Sequence, residues 1–364
     1  MVYRAIGLMS GSSLDGLDIA FVSFEEIRSQ WSFALKHQKC VSYSQQWKDR
    51  LKNAEYLPAR DFVQLDHDFG AFMGQEVKNF ITENQLEHQT QFIVSHGHTV
   101  FHEPSKGIST QIGAGAPIAA INSINVINQL RALDVALGGQ GAPIVPLGEA
   151  LLFSDYNCFL NIGGIANLSV HSPEEVKAFD ICVANQVLNH LARIDGVPFD
   201  QDGQIAALGA VNTALLTQLN ALPYFAAAAP KSLSNQFFPD YIVPLLDNAQ
   251  LAIPDLLRTV TEHIAMQITY SLASLTKRDP DQPTKLLVTG GGAHNAFLIQ
   301  RLSALLQSYQ VEVVLPEKPV IDYKEAIIMG LLGVLRWREE NTILGITGAS
   351  RPSIGGAVWM GQVY

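Results

Sequence analysis

The sequence predicts a two-domain α/β fold in which a mixed sheet flanked by helices is made twice. Three observations carry this. At 364 residues the chain exceeds the usual size of one compact core. The order strand, glycine-rich turn, strand, strand, helix occurs near the start and again in the middle. The last third then alternates helix and strand in the α/β manner.

The first half opens with β-rich runs at 2–10 and 17–24 around the turn "SGSSLDG", with 31–37 as a third strand. Apolar residues recurring every three or four positions predict helix through "DFVQLDHDFGAFMGQEVKNFITE". A short strand at 92–95 then opens into a histidine-rich loop, "HGHTVFHEPSKG". In the middle, 158–162 reads as strand, "GGIAN" as a turn, 168–171 and "VKAFD" as strands, and "NQVLNHLARI" as a helix. The repetition is one of topology and not of sequence.

Helix is expected over 255–276, 293–307 and 323–338, with buried strands at 285–289 and 311–315. "PYFAAAAPKS" is the one biased stretch and reads as a surface crossing. The expected domains are residues 1–128 plus 339–364, and residues 129–338.

Charge and cysteine content narrow the function. A net charge of −10 argues against non-specific nucleic-acid binding and against an anionic membrane surface. It leaves room for a nucleotide, which arrives with Mg²⁺ and is held largely by backbone N–H groups. Cys40, Cys158 and Cys182 form no CxxC pair and point to a reducing compartment. The chain begins on a strand-like segment without signal-peptide regions, and no window reaches the length of a membrane span. A cytoplasmic protein is expected, with a small-molecule substrate.

GxxxxGK[ST] and GxSxG are absent. "GAGAPI" and "GGGAHN" lack the spacing of a dinucleotide fold. His96, His98 and His102 tempt a metal reading, but no third firm ligand has a recognised spacing, so substrate contacts or loop hydrogen bonds are preferred. The stronger signal is three glycine-rich loops at strand ends: "SGSSLDG", "NIGGIAN" and "TGGGAHN". Singly each is a tight turn; together they are expected to clasp a nucleotide in an interdomain cleft. Asp15, Asp18, Asp180, Asp202 and Glu325 lie beside these loops or at element ends. Asp180 ends a strand just before a helix, where it serves either as a proton acceptor facing a cleft or as a helix N-cap.

These residues resemble the anhydro-N-acetylmuramic acid kinase family of the sugar-kinase/actin/heat-shock-ATPase superfamily. "IGLMSGSSLDGLDIA", "SHGHTVFHEP", "RALDVALGGQGAPIVP", "LNIGGIANLS", "FDQDGQIAALG", "LVTGGGAHNAFL", "YKEAIIMGLLGVLRW" and "TGASRPSIGGAV" follow in the family's order over nearly the whole chain. Ser12 stands where threonine is usual, and His98 where glutamine is. The resemblance implies a two-domain actin-like ATPase (ribonuclease H-like) fold and ATP with Mg²⁺. It also implies opening of the 1,6-anhydro ring by water with phosphorylation of O6, as in cell-wall recycling. A relative with another sugar, or a non-catalytic regulatory or chaperone-like one, is the alternative, and a homodimer stays open.

By the same resemblance Asp180 is the base that activates water, and Glu325 the second catalytic carboxylate, orienting the sugar together with His98, Arg131 and Asn185. Gly11, Ser12, Ser13, Leu14, Asp15, Gly16 and Asp18 lie at the phosphates, with Asp15 and Asp18 toward the metal. Gly163, Gly164, Gly203, Gly290, Gly291 and Gly292 complete the nucleotide site. One segment departs. The family follows its catalytic aspartate with threonine-glycine-proline-glycine-asparagine, and here Ile181, Cys182, Val183, Ala184 and Asn185 follow. Because Asp180 and Asn185 keep their spacing, the backbone is expected to keep its path.

Overall fold

A computed structural model describes residues 1–11, 13–172, 175–229, 231–234, 236–275 and 283–361. The chain forms two compact units, residues 1–154 with 323–364 and residues 155–322. Each is built on its own mixed sheet.

In the first unit β1 (Val2–Ser10), β2 (Gly16–Ile27) and β3 (Gln30–Ser42) form an antiparallel meander. On the other side of β1, β4 (Phe92–Glu103) and β6 (Asn125–Asn128) run parallel to it. β5 (Ile108–Ile112) pairs back on β4. In the second unit β7 (Cys158–Ile162), β8 (Ile165–His171) and β9 (Val176–Val183) repeat the meander. β10 (Thr284–Thr289) and β11 (Val311–Val314) repeat the parallel pair. The spatial orders β3-β2-β1-β4-β6 and β9-β8-β7-β10-β11 are therefore the same. β12 (Ala357–Trp359) adds an antiparallel edge beside β6. This duplicated sheet is the actin-like, ribonuclease H-like arrangement expected.

Helices cover the sheets through single apolar stripes. In Ala59–Glu83 the buried Leu65, Phe69, Met73, Val77 and Phe80 recur at helical spacing against Ile6, Leu8 and Ile19. Ile253–Ala273 does the same in the second unit with Leu257, Val260, Ile264, Ile268 and Leu272. The helix Lys318–Trp337 lies so close to β1 that a Cβ on Gly7 would overlap the Ala326 carbonyl, and one on Gly333 the Val94 side chain. Only glycine permits that approach.

Three expectations change. Residues 129–154 and 323–338 belong to the first unit, so the units divide at Ser154 and Asp322 and not at 128 and 338. The cause is packing: Gly148 sits against Ile328, and Gly7 and Val94 against the final helix. That helix begins at Lys318, five residues before the expected start, while Ile253–Ala273 ends short of Thr276, which lies outside the described residues. The histidine-rich stretch is not a loop. It is the second half of β4, paired with β5 from His98↔Ile112 to Glu103↔Ile108.

Among the described residues no helix is long and apolar enough to cross a membrane.

Candidate functional site

β1, β3, β4 and β6 share one direction in the first sheet, and so do β7, β9, β10 and β11 in the second. The expected site residues collect where these strands end, the usual place for ligands in open α/β sheets.

In the first unit the turn between β1 and β2 closes with Leu14 N–H on the Gly11 carbonyl (3.4 Å), Leu14 in a left-handed conformation. Asp15 is exposed, and its carbonyl takes the Tyr43 N–H (3.2 Å). Ser13 is exposed, Asp18 is half-buried between Met9 and Cys40, and Ser12 lies outside the described residues. Tyr43 Oη donates to Ser10 Oγ (2.7 Å), which lies 3.1 Å from Nδ1 of buried His98. With the tyrosine proton on Ser10, the serine proton goes to Nδ1, so His98 carries its own proton on Nε2. Burial lowers the His98 pKa to about 4 and keeps the ring neutral.

The three histidines do not meet at a metal. His96 engages Arg131 (3.0 Å), His98 faces Ser10, and His102 lies 3.1 Å from Ser109 Oγ. Among the described residues no group of three or more His, Cys, Asp or Glu side chains is placed to hold a metal ion. Asp15 and Asp18 nevertheless suit Mg²⁺, which takes one or two carboxylates and fills its remaining positions with phosphates and water.

Arg131 is held by His96 and by the Gly141 carbonyl (2.6 Å). Burial lowers its pKa to about 10, partly offset by Glu325. Burial raises the Glu325 pKa; Lys324 and Arg131 pull it down, and Glu149 pushes it up. Lys324 and Glu149, each 3 % exposed, form a 2.8 Å ion pair beside it. Nothing in the sequence marked Glu149, which is 175 residues from its partner. Its signal would have been a glutamate inside an otherwise apolar helix, Val145–Leu152.

The second unit brings the other glycine loops together. Ala184 and Asn185 donate their N–H groups to the carbonyls of Gly164 (2.8 Å) and Gly163 (3.1 Å). The Asn185 side chain donates to the Ile162 carbonyl (3.1 Å), so the end of β7 and the start of the helix Asn185–Ile194 form one loop cluster. Gly291 faces the same Asn185 amide. Gly203 abuts Asn295, the N-cap of the helix after the third glycine loop.

The glycines divide into two kinds. A Cβ on Gly16, Gly203, Gly290 or Gly292 would come within 2.6 Å of a neighbouring atom, so the fold itself requires them. At Gly11, Gly163 and Gly291 nothing lies closer than 3.4 Å. Packing does not explain these three. A Cβ would fit at each in ordinary contact, so their lack of one leaves the backbone amides open to close approach by a phosphate.

Asp180 lies on β9 at a bulge: Asn167 pairs with Asp180 and Ala166 with Cys182, leaving Ile181 as the extra residue. A bulge re-aims a side chain in this way. The N-cap alternative fails, because the helix starts at Asn185 with Ala184 as its cap. Instead Oδ2 of Asp180 accepts from Leu233 N–H (3.0 Å), its carbonyl from Tyr224 Oη (2.7 Å), and its N–H reaches the Lys231 carbonyl (3.0 Å). Burial raises the carboxyl pKa and the Leu233 hydrogen bond partly lowers it. The stretch read as a surface crossing thus holds Asp180. Its aromatic residues were the available sign, since Tyr224 and Phe225 pack on each other, on Phe237 and on the core.

A family model described as anhydro-N-acetylmuramic acid kinase matches residues 3–361. The chain belongs to the anhydro-N-acetylmuramic acid kinase family. Curated relatives bearing that name are similar along their length. The Vibrio parahaemolyticus protein is 33 % identical with 95 % of each chain covered, and the Microcystis aeruginosa protein 32 % identical with 99 % of each covered. The Xanthomonas axonopodis protein is 34 % identical over 97 % of each. Among solved structures, an activator of 2-hydroxyisocaproyl-CoA dehydratase from Clostridium difficile with bound ADPNP aligns at TM-score 0.47 and 11 % identity, covering 92 % of this chain and 96 % of that one.

The departure from the family after Asp180 has a structural answer. Ile181, Cys182, Val183 and Ala184 are each at most 1 % exposed and pack into the second core. None has a positive φ, and Ala184 sits at φ −129°. The backbone that this chain follows from Ile181 to Ala184 takes no left-handed conformation.

Proposed function

We propose that the protein is an ATP-dependent kinase that opens the 1,6-anhydro ring of anhydro-N-acetylmuramic acid and phosphorylates O6. The observation that carries the reading is Asp180: a half-buried carboxylate of raised pKa, on a bulge, with one oxygen held by Leu233 N–H. Among the described residues none donates to its Oδ1. A base tuned upward by burial suits proton abstraction near neutral pH.

Asp180 takes a proton from the water that adds to C1. The C1–O6 bond breaks, and the electron pair it leaves makes O6 the acceptor of the phosphoryl group. Bound ATP with Mg²⁺ supplies that group and departs as ADP. In the first unit Gly11, Ser12 and Ser13 would hold phosphates, with Asp15 and Asp18 toward the metal; in the second, Gly163, Gly164 and Gly291 would hold phosphates. Gly16, Gly203, Gly290 and Gly292 shape these loops. Arg131, Glu325, His98 and Asn185 orient the sugar. Neutral His98 would offer its Nε2–H as a hydrogen-bond donor. The amide that the resemblance leads one to expect at that position is a neutral donor too.

The test is turnover in ¹⁸O-labelled water, quenched rapidly because a free reducing sugar slowly exchanges its C1 oxygen. The expected product is the 6-phosphate carrying one solvent oxygen at C1 beyond that exchange. A phosphorylated sugar without label would overturn the ring-opening role, and no product would overturn the substrate. Asp180→Asn should keep Mg-ATP stabilisation in a thermal-shift titration and lose roughly 10²–10⁴-fold in turnover.

A further inference from the structure

β9 is the edge strand of the second sheet, and an edge leaves main-chain groups without a ladder partner. At the bulge that vacancy falls on Asp180. The segment that carries Tyr224, Lys231 and Leu233, in which residue 230 lies outside the described residues, fills it at three atoms. The Lys231 carbonyl accepts the Asp180 N–H, Tyr224 Oη donates to the Asp180 carbonyl, and Leu233 N–H donates to Oδ2. The segment is also tied to itself. Lys231 Nζ donates to the Tyr224 carbonyl at 3.0 Å and lies 4.6 Å above the Tyr224 ring. Tyr224 and Leu233 both pack against the second core, which anchors the two ends.

We propose that this segment is a strap that positions Asp180, with Tyr224 holding its main chain and the Leu233 N–H orienting its carboxylate. The assignment of Asp180 as the base rests on the function proposed above; the strap itself does not. Two bonds fix the backbone of Asp180 beside the bulge, which otherwise has the freedom of an edge. The third engages one carboxylate oxygen and leaves the other to a reacting molecule. A donor to the ionised carboxylate also favours that form. The titratable groups sharing this neighbourhood are Tyr224 and Lys231 on the strap and Cys182 on β9. Burial raises the pKa of Tyr224 and of Cys182, so both stay neutral at working pH, and burial lowers that of Lys231.

Three variants test it: Leu233→Pro removes the N–H, Leu233→Ala keeps it, and Tyr224→Phe removes the hydroxyl. The readouts are the ¹³C NMR titration of the Asp180 carboxyl, assigned with Asp180→Asn, and kcat, KM and the pH profile with Mg-ATP and the anhydro sugar. Leu233→Pro should move the carboxyl titration and the acid limb upward by about one pH unit, and Leu233→Ala should move neither. Tyr224→Phe should lower kcat about tenfold with KM for ATP unchanged, the loss of one hydrogen bond that fixes geometry. A folded Leu233→Pro with the wild-type titration, or Leu233→Ala reproducing its shift, would overturn the carboxylate role. Should Leu233→Pro not fold, wild-type kcat in Tyr224→Phe overturns the strap. A wild-type protein that ignores the anhydro sugar, while its carboxyl still responds to Leu233→Pro, refutes the proposed substrate and leaves the strap standing.

Discussion

Arg131 donates its Nε–H to Nε2 of His96 at 3.0 Å, and this one bond decides the state of the ring. An arginine can only donate, so Nε2 accepts and the proton of His96 sits on Nδ1. There it meets the Gly97 carbonyl at 3.0 Å. Both nitrogens are committed in the neutral form. Burial and the adjacent guanidinium lower the His96 pKa to about 3.

Acid sensitivity follows from that ring and two others. Burial takes His98 to about 4 and His263 to about 3, against an unfolded value near 6.5. Each is neutral in the fold and charged in the unfolded chain between these values. Their stabilisation is complete above pH ~6.5 and falls away as pH drops toward 4, by about 1.4 kcal/mol per pH unit for each histidine. The raised carboxyls of Asp180 and Glu325 act in the opposite sense, because on acidification the fold binds their protons before the unfolded chain does. Urea denaturation at pH 7, 6 and 5 should show a steepening loss, lessened in His263→Gln. A flat profile over that range would mean the rings protonate in place.

The two kinds of glycine separate folding from ligand approach. Gly290 has φ +82°, and a Cβ there would lie 2.3 Å from Asn161 Oδ1. Gly290→Ala should cost ~1–3 kcal/mol of stability. Gly163 has no neighbour nearer than 3.4 Å. Gly163→Ala should keep stability within about 0.5 kcal/mol and weaken Mg-ATP binding by tenfold or more, as isothermal titration would read. Full affinity in Gly163→Ala would remove this turn from the nucleotide site.

What the sequence carried and what it hid have physical reasons. Strand–turn–strand order survives translation into structure because alternation and glycine placement are local, and "NQVLNHLARI" begins its helix at Asn185 as expected. The boundary between units was hidden because the packing of Gly7 against Ala326 joins residues more than three hundred positions apart. The β4–β5 hairpin was hidden because histidines and a proline resemble loop composition, although Val100 and Phe101 continue the strand. At the site, residue types announced the glycine loops and the carboxylates. The hydrogen bonds from Tyr224 and Leu233 come from within and just after a stretch whose alanines gave no sign of them.

The segment after Asp180 yields the last prediction. Cys182 and Ala184 are both fully buried, and each adds packed atoms where the family is expected to have glycine. Ala184 holds the cap of the helix Asn185–Ile194 at φ −129° and ψ −95°, with its N–H on the Gly164 carbonyl. Nothing there calls for a left-handed residue. Returning both positions to glycine should therefore remove packing and add chain entropy without freeing the site. The expected cost for Cys182→Gly with Ala184→Gly is about 2–4 kcal/mol, read as a lower denaturation midpoint. KM for the anhydro sugar should stay within about twofold, because the side chains removed point into the core and the Asp180–Asn185 spacing is unchanged. A marked gain in kcat/KM on glycine restoration would show instead that the two side chains reach the sugar and that the departure tunes specificity.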